Sequence, residues 1–263
     1  MRVVVCVKHV PDLQSERGFT DSGLVDRGQG DGTLNELDEN AVEAALALVE
    51  EHGGEVAVVT LGPDDAEDAV RRGLQMGATQ ALHVLDDAAA GSDVFGTAGV
   101  LAAAVRYLAS TGDPVDLVMT GMASLDGVTS LLPAALAAEL DLPQLTLATE
   151  VGVDGDVVRV RRVLDHASEV LTAPMPALVS VTDTANEPRY PNFAGIMAAR
   201  KRTVEVVSLA DLGVDPATVG TAGARTEVVD TTPRPARENR VLIADDGDAG
   251  LRLAAFLVEN KLV

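Results

Sequence analysis

Over the first 150 residues, short runs of β-branched and other apolar residues alternate with longer Ala/Leu-rich stretches whose apolar positions recur at helical spacing. The runs at 3–7, 55–61, 80–85 and 115–120 predict strands, and the stretches at 36–51, 66–76, 94–110 and 129–140 predict helices. Strands that are apolar at every position are those with helices on both faces. The pattern therefore predicts an α/β fold with a doubly wound, mainly parallel sheet and right-handed crossovers. After Pro143 the period changes to two. Residues 157–163 and 168–172 alternate after the turn at Asp154-Gly155-Asp156 and predict a β-hairpin or meander. In it Arg159 and Arg161 share one face, while Arg162 points the other way with Val160. Residues 177–182 again read as a buried strand. Beyond Val207, Gly, Thr, Pro and Asp dominate until an amphipathic stretch at 249–260, so the chain divides into an α/β domain at 1–207 and an extended arm with a docking helix at 208–263.

Composition narrows the function classes. The 263 residues are 47% apolar, enough for one large core with an appendage. A formal charge of -21 repels phosphate backbones, and with 2% aromatic residues and no Trp there is little to stack on bases, so nucleic acid is excluded as a general partner. The chain has three lysines, Lys8, Lys201 and Lys261, against abundant Asp, a balance that fits a high-salt cytoplasm or a GC-rich genome equally. Cys6 stands alone, which excludes an internal disulfide framework and an all-cysteine metal site, and the four histidines lack ligand spacing. A first strand that begins at once, with no apolar run of membrane-spanning length, leads to the expectation of a cytoplasmic protein that is not membrane-embedded. No nucleophile sits in a recognisable elbow, so hydrolytic chemistry has little support.

In a doubly wound sheet, ligands lie where the carboxyl ends of neighbouring strands diverge, and the loops there begin at Lys8, at Leu61 and at Gly121. The third, Gly121-Met122-Ala123-Ser124-Leu125-Asp126-Gly127-Val128-Thr129-Ser130, is the best phosphate candidate. Its Asp126-Gly127 turn offers positive φ, and Thr129 and Ser130 can cap the next helix and turn free N–H groups towards an anion. A plain capped turn is the alternative. Gly28-Gln29-Gly30-Asp31-Gly32 lacks the spacing of a dinucleotide or Walker fingerprint and reads as a flexible loop. A different signal follows the strand at 177–182. There Asn186-Glu187-Pro188-Arg189-Tyr190-Pro191 forms a turn stiffened by two prolines that projects Asn192, Phe193, Ala194, Gly195, Ile196 and Met197 off the sheet edge, beside Arg200, Lys201 and Arg202. Exposed apolar anchors beside basic residues mark a partner site, with a surface turn entering a short helix as the alternative.

The wording of that run, N-E-P-R-Y-P then G-I-M-x-A-R-K, closely resembles the beta subunit of electron transfer flavoproteins. The resemblance extends through V-x-V-K-x-V at the start, N-E-L-D-E-N-A-V-E-A-A-L, L-G-P before a helix, M-G-A, the D-G loop and L-D-L-P-Q. It implies an adenine-nucleotide-binding, HUP-like domain that pairs with a homologous alpha subunit. It also implies an electron carrier without turnover of its own, moving single electrons from acyl-CoA and related dehydrogenases to a membrane quinone reductase. The family holds FAD mostly through alpha; here Leu13, Leu37 and Arg162 match the positions that lean on the flavin. A guanidinium there would favour added negative charge on the ring and split a two-electron couple into single steps. The matches for a buried AMP are Cys6, Asn35, Glu36, Leu37, Asp38, Leu61 and the loop from Ser124 through Leu125, Asp126, Gly127, Val128, Thr129 and Ser130. The docking segment falls on Pro191 to Met197 with Phe193 as its anchor. Two other readings remain: an electron-bifurcating variant with a second FAD in place of AMP, and a stand-alone adenine-nucleotide-binding regulator that would have no use for the N-E-P-R-Y-P run.

Overall fold

Residues 3–7 are apolar at every position because the strand they form lies inside a sheet with helices on both sides. The computed structural model describes residues 1–12, 14–15, 18–28, 31–235 and 241–263. In chain order the first elements are β1 (Arg2–Cys6), β2 (His9–Pro11), β3 (Gly32–Leu34), α1 (Glu36–His52), β4 (Glu55–Leu61), α2 (Glu67–Met76) and β5 (Gln80–Val84). Next come α3 (Val94–Thr111), β6 (Leu117–Gly121), α4 (Leu132–Leu140), β7 (Gln144–Asp154), β8 (Val157–Val163), β9 (Ser168–Pro174) and β10 (Ala177–Val181). The last are α5 (Phe193–Ala199), β11 (Glu205–Val207), α6 (Gly220–Gly223) and α7 (Ala249–Glu259).

Nine strands form one sheet in the order β11-β5-β4-β1-β6-β10-β7-β8-β9. All neighbours from β11 to β7 run parallel, and β8 and β9 complete it as an antiparallel meander. This is the doubly wound α/β sheet that the apolar strand pattern predicts. One face packs Val3, Val5 and Met119 against Ala41, Val42 and Val70 of α1 and α2. The other packs Val4, Val59 and Val118 against Ala98, Leu101 and Leu136 of α3 and α4. Because β4 lies on one side of β1 and β6 on the other, the chain reverses direction across the sheet at β1, and a crevice opens at the carboxyl ends there. Helix α3 is long and apolar enough to meet a membrane-span criterion by length and composition. Eight of its residues are nevertheless buried in the protein core, and the Asp93 carboxylate caps it by accepting the N–H groups of Phe95 and Gly96.

Two stretches depart from the sequence pattern. The helix expected from residue 129 starts at Leu132, because Val128 and Ser130 both take left-handed backbone (φ 48° and 51°), and no side chain among the described residues caps it. Positive φ thus falls beside Gly127 and not on it. Strand β7 contains Leu147 at φ 58°, where two residues, Thr146 and Leu147, oppose the single Ser180 of β10. A left-handed residue that is not glycine costs about 1–2 kcal/mol, so surrounding contacts must hold it.

The chain resolves into two units, Met1–Val229 and Asp230–Val263, with residues 208–229 in the first. Within the second unit, α7 leaves Leu251, Leu253 and Val258 exposed.

Candidate functional site

At the end of β1 the chain leaves the sheet through Lys8, whose ammonium reaches across to the loop after β6. Lys8 Nζ lies 2.9 Å from Asp126 Oδ1 and 3.4 Å from Ser124 Oγ, and Arg27 Nε donates to Asp126 Oδ2 at 2.6 Å. The Asp126 side chain is only 2% exposed. Burial alone would raise its pKa, but Lys8 and Arg27 together outweigh burial and hold the carboxyl well below the usual carboxylate range. Burial in turn lowers Lys8, partly offset by Asp126. Asn35 fastens the same loop from the start of α1, donating to Ala123 O (2.9 Å) and accepting from Leu125 N (3.1 Å). The result is a polar bowl over the switch point, with two cations meeting at one carboxylate and a serine hydroxyl against the lysine.

Under the bowl, Asp38 joins the two strands that flank the crevice. Its Oδ2 accepts Lys8 N–H (2.9 Å) after β1, and its Oδ1 accepts Gly121 N–H (3.2 Å) at the end of β6. This contact needs glycine at 121, since a Cβ there would stand 2.6 Å from both Asp38 Oδ1 and Leu37 O. Burial pushes Asp38 up to about 7 despite the hydrogen bonds that favour its charged form. An unfolded Asp ionises near 4, so between roughly pH 4 and 7 the folded protein keeps a proton that the unfolded chain has released. The stabilisation is complete below about 4 and is lost as pH rises through about 7, at up to about 1.4 kcal/mol per pH unit. We expect Asp38→Asn to remove this term from the pH dependence of urea unfolding, whatever it does to absolute stability. Parallel curves for the two proteins from pH 4 to 7 would assign the titration to another group. Burial, with Asp38 beside it, also pushes the Cys6 thiol up to about 12, so Cys6 is a neutral packing group and not a nucleophile.

Two buried hydroxyls at this end of the sheet, Thr60 Oγ1 and Thr120 Oγ1, have no hydrogen-bond partner among the described residues. Buried polar atoms are nearly always paired, so such orphans on a crevice rim mark where a ligand's polar atoms fit.

Arg162 stands three strands from β6, on β8, at the far side of the sheet. Its Nε and Nη2 both donate to Glu169 Oε2 (2.8 and 2.5 Å), and Nη1 reaches Thr146 Oγ1 and O at 3.3 and 3.5 Å. The side chain is 23% exposed, whereas Arg159 and Arg161 face solvent, as the alternation predicts.

The N-E-P-R-Y-P run leaves an interior strand, β10, not a sheet edge, and α1 rather than its prolines fixes it in place. Asn40 and Asn186 each donate a side-chain N–H to the other's carbonyl (2.9 and 3.0 Å). The Arg189 guanidinium is shared between Glu43 (2.7 and 3.0 Å) and Glu50 (2.5 and 3.1 Å). Tyr190 lies under Arg72, 5.5 Å from ring centre to guanidinium carbon, and Asn192 caps α5 through Gly195 N–H (2.8 Å). Gly195 meets α2 so closely that a Cβ would lie 2.5 Å from Gln75 O. This mount leaves Tyr190 89% and Phe193 79% exposed, with Met197 at the surface beside them. Of the basic residues that follow, Arg202 donates to Thr79 O and is spent on structure, while Arg200 and Lys201 face solvent.

The model of the electron transfer flavoprotein domain matches residues 23–212. A protein of Mycobacterium leprae named electron transfer flavoprotein subunit beta is 42% identical over 267 residues, covering 99% of each chain. The protein of that name from Megasphaera elsdenii is 33% identical over 100% of both chains. The protein FixA of Azorhizobium caulinodans is 35% identical over 93% of this chain and 89% of its own. The chain belongs to the electron transfer flavoprotein family. Within that family its likeness is to beta subunits, which makes it an electron-transport flavoprotein component with an alpha-subunit counterpart.

Of the residues that the sequence singles out, Asn35, Asp38, Ser124, Leu125 and Asp126 converge at the bowl, with Cys6 buried beneath it and Leu61 half-buried at the end of β4. Gly127, Val128, Thr129 and Ser130 are exposed on the loop that continues from it, Glu36 faces solvent and Leu37 is half-buried. Leu13 lies outside the described residues. Sequence reasoning missed Lys8 and Arg27 as the cations of this bowl. The available signal was Lys8 itself, one of three lysines, placed directly after β1.

Proposed function

We propose that this chain is the beta subunit of a heterodimeric, cytoplasmic electron transfer flavoprotein, a carrier without catalytic turnover of its own. It would take electrons from acyl-CoA and related flavin dehydrogenases and pass them to a membrane quinone reductase. The observation that carries this reading is Phe193, held almost fully exposed at the tip of a run bolted to α1, a costly presentation for a residue without a partner. The buried, unpaired Cys6 suits a reducing compartment.

FAD, held chiefly by the alpha subunit, supplies the capacity to accept two electrons and release them singly. The donor set fits it. A half-buried guanidinium on β8 offers N–H donors towards any charge that builds on a ring placed there. AMP fits the bowl over the switch point: Lys8 and Arg27 supply cations, Ser124 a hydroxyl, and the Thr60 and Thr120 oxygens at the strand ends have no partner among the described residues. Backbone groups near Cys6 and Leu61 would meet the adenine edge.

Co-expression with a homologous alpha subunit tests the proposal. The expected product is a yellow heterodimer that releases one FAD and one AMP on denaturation. Two FAD and no AMP would mean that the beta site serves a bifurcating flavoprotein, and a colourless monomer would end the proposal.

A further inference from the structure

The left-handed residue in β7 stands next to the arginine that the proposed function lends to the flavin. Ser180, wholly buried on β10, accepts the Leu147 N–H at 3.0 Å and so holds the turn in which Thr146 and Leu147 share one partner residue. Bulges of this kind bend a strand and re-aim its neighbours, and they gather near functional sites. Here the residue just before the kink, Thr146, turns both of its oxygens towards Arg162 Nη1. A second irregularity follows at once, where Thr149 is the extra residue against β8 and its hydroxyl donates to Arg161 O (3.1 Å). Two shifts within four residues of β7 thus surround the base of Arg162.

The donor count shows what the mount leaves open. A guanidinium has five N–H groups. Glu169 takes those of Nε and one of Nη2, Thr146 engages Nη1 with both of its oxygens, and the second N–H of Nη2 has no partner among the described residues. Such a charged donor matches an acceptor atom of a ligand that carries or gains negative charge. We infer that Ser180 and the left-handed turn at Leu147, through Thr146, position Arg162 so that this free N–H is presented to the flavin. The inference rests on the reading that Arg162 is lent to a flavin held with the alpha subunit. Ser180 touches no ligand; it is a positioning residue.

The test uses the flavin-loaded heterodimer and reads the midpoint potential for the first electron by titration with dithionite in the presence of redox dyes. Arg162→Ala is expected to lower the equilibrium constant for first-electron uptake about tenfold. Ser180→Ala and Thr146→Val, neither of which changes charge, should each lower it several-fold with flavin content intact. Thr146→Val keeps a β-branched residue on a strand surface and serves if Ser180→Ala does not fold. In the Arg162→Ala background both substitutions should have no further effect, because coupled residues are not additive. Shifts that persist in that background, or an unchanged potential in both single variants, overturn the inference while leaving the flavin carrier standing. A heterodimer without flavin would instead refute the reading beneath it.

Discussion

Replacing Phe193 with alanine is expected to slow reduction of the flavin-loaded heterodimer by a client dehydrogenase by about 30-fold, the equivalent of about 2 kcal/mol at a docking hot spot. The side chain is 79% exposed and contributes little to the core, so melting temperature and flavin content should stay at wild-type values. That separation makes the experiment decisive. Stopped-flow reduction at several client concentrations distinguishes weaker docking, which raises the concentration for half-maximal rate, from slower transfer within the complex. Equal second-order rates for the two proteins would remove Phe193 from the docking surface and take away the observation on which the function rests.

The second large effect is on folding. Gly121→Ala puts a methyl group 2.6 Å from the Asp38 carboxylate and from the Leu37 carbonyl, neither of which is the movable tip of a long side chain. Overpacking of this kind costs about 1–3 kcal/mol, and displacing Asp38 weakens its bonds to Lys8 and Gly121 N–H as well. The expected loss is about 3 kcal/mol in urea unfolding. Gly152→Ala, on β7 with nothing within 4 Å of the added carbon, is the matched control and should leave the midpoint nearly unchanged. If the two variants unfold together, α1 does not approach β6 as closely as the Asp38 contact requires.

The parts of the fold that could be read from the chain are those in which residue type and environment repeat over several positions. β1, β4 and β6 are apolar throughout because helices cover both faces, and Arg159, Arg161 and Arg162 sort to opposite sides because the strand period is two. The parts that could not be read are single backbone choices and long-range meetings. Val128 and Leu147 take left-handed backbone although neither residue type favours it, and tertiary contacts such as Ser180 to Leu147 N–H hold what local preference opposes. Lys8, Arg27 and Asp126 meet across nearly 120 residues, and no local spacing announces that. The N-E-P-R-Y-P run was conspicuous as a motif. That its Asn and Arg act as fasteners to Asn40 and Glu43, leaving the display to Tyr190 and Phe193, emerges only from the contacts.

Helix α1 serves two masters. Its N-cap Asn35 and first-turn Asp38 hold the bowl and the strands beneath it at the switch point, and its later turns carry Asn40, Glu43 and Glu50, which grip the exposed run. If the exposed run docks redox clients as proposed, retargeting it to a new client is a two-segment edit. A tip borrowed from another protein needs its matching helical residues transplanted with it, and that graft begins at Asn40, two residues from the Asp38 that lies beneath the crevice.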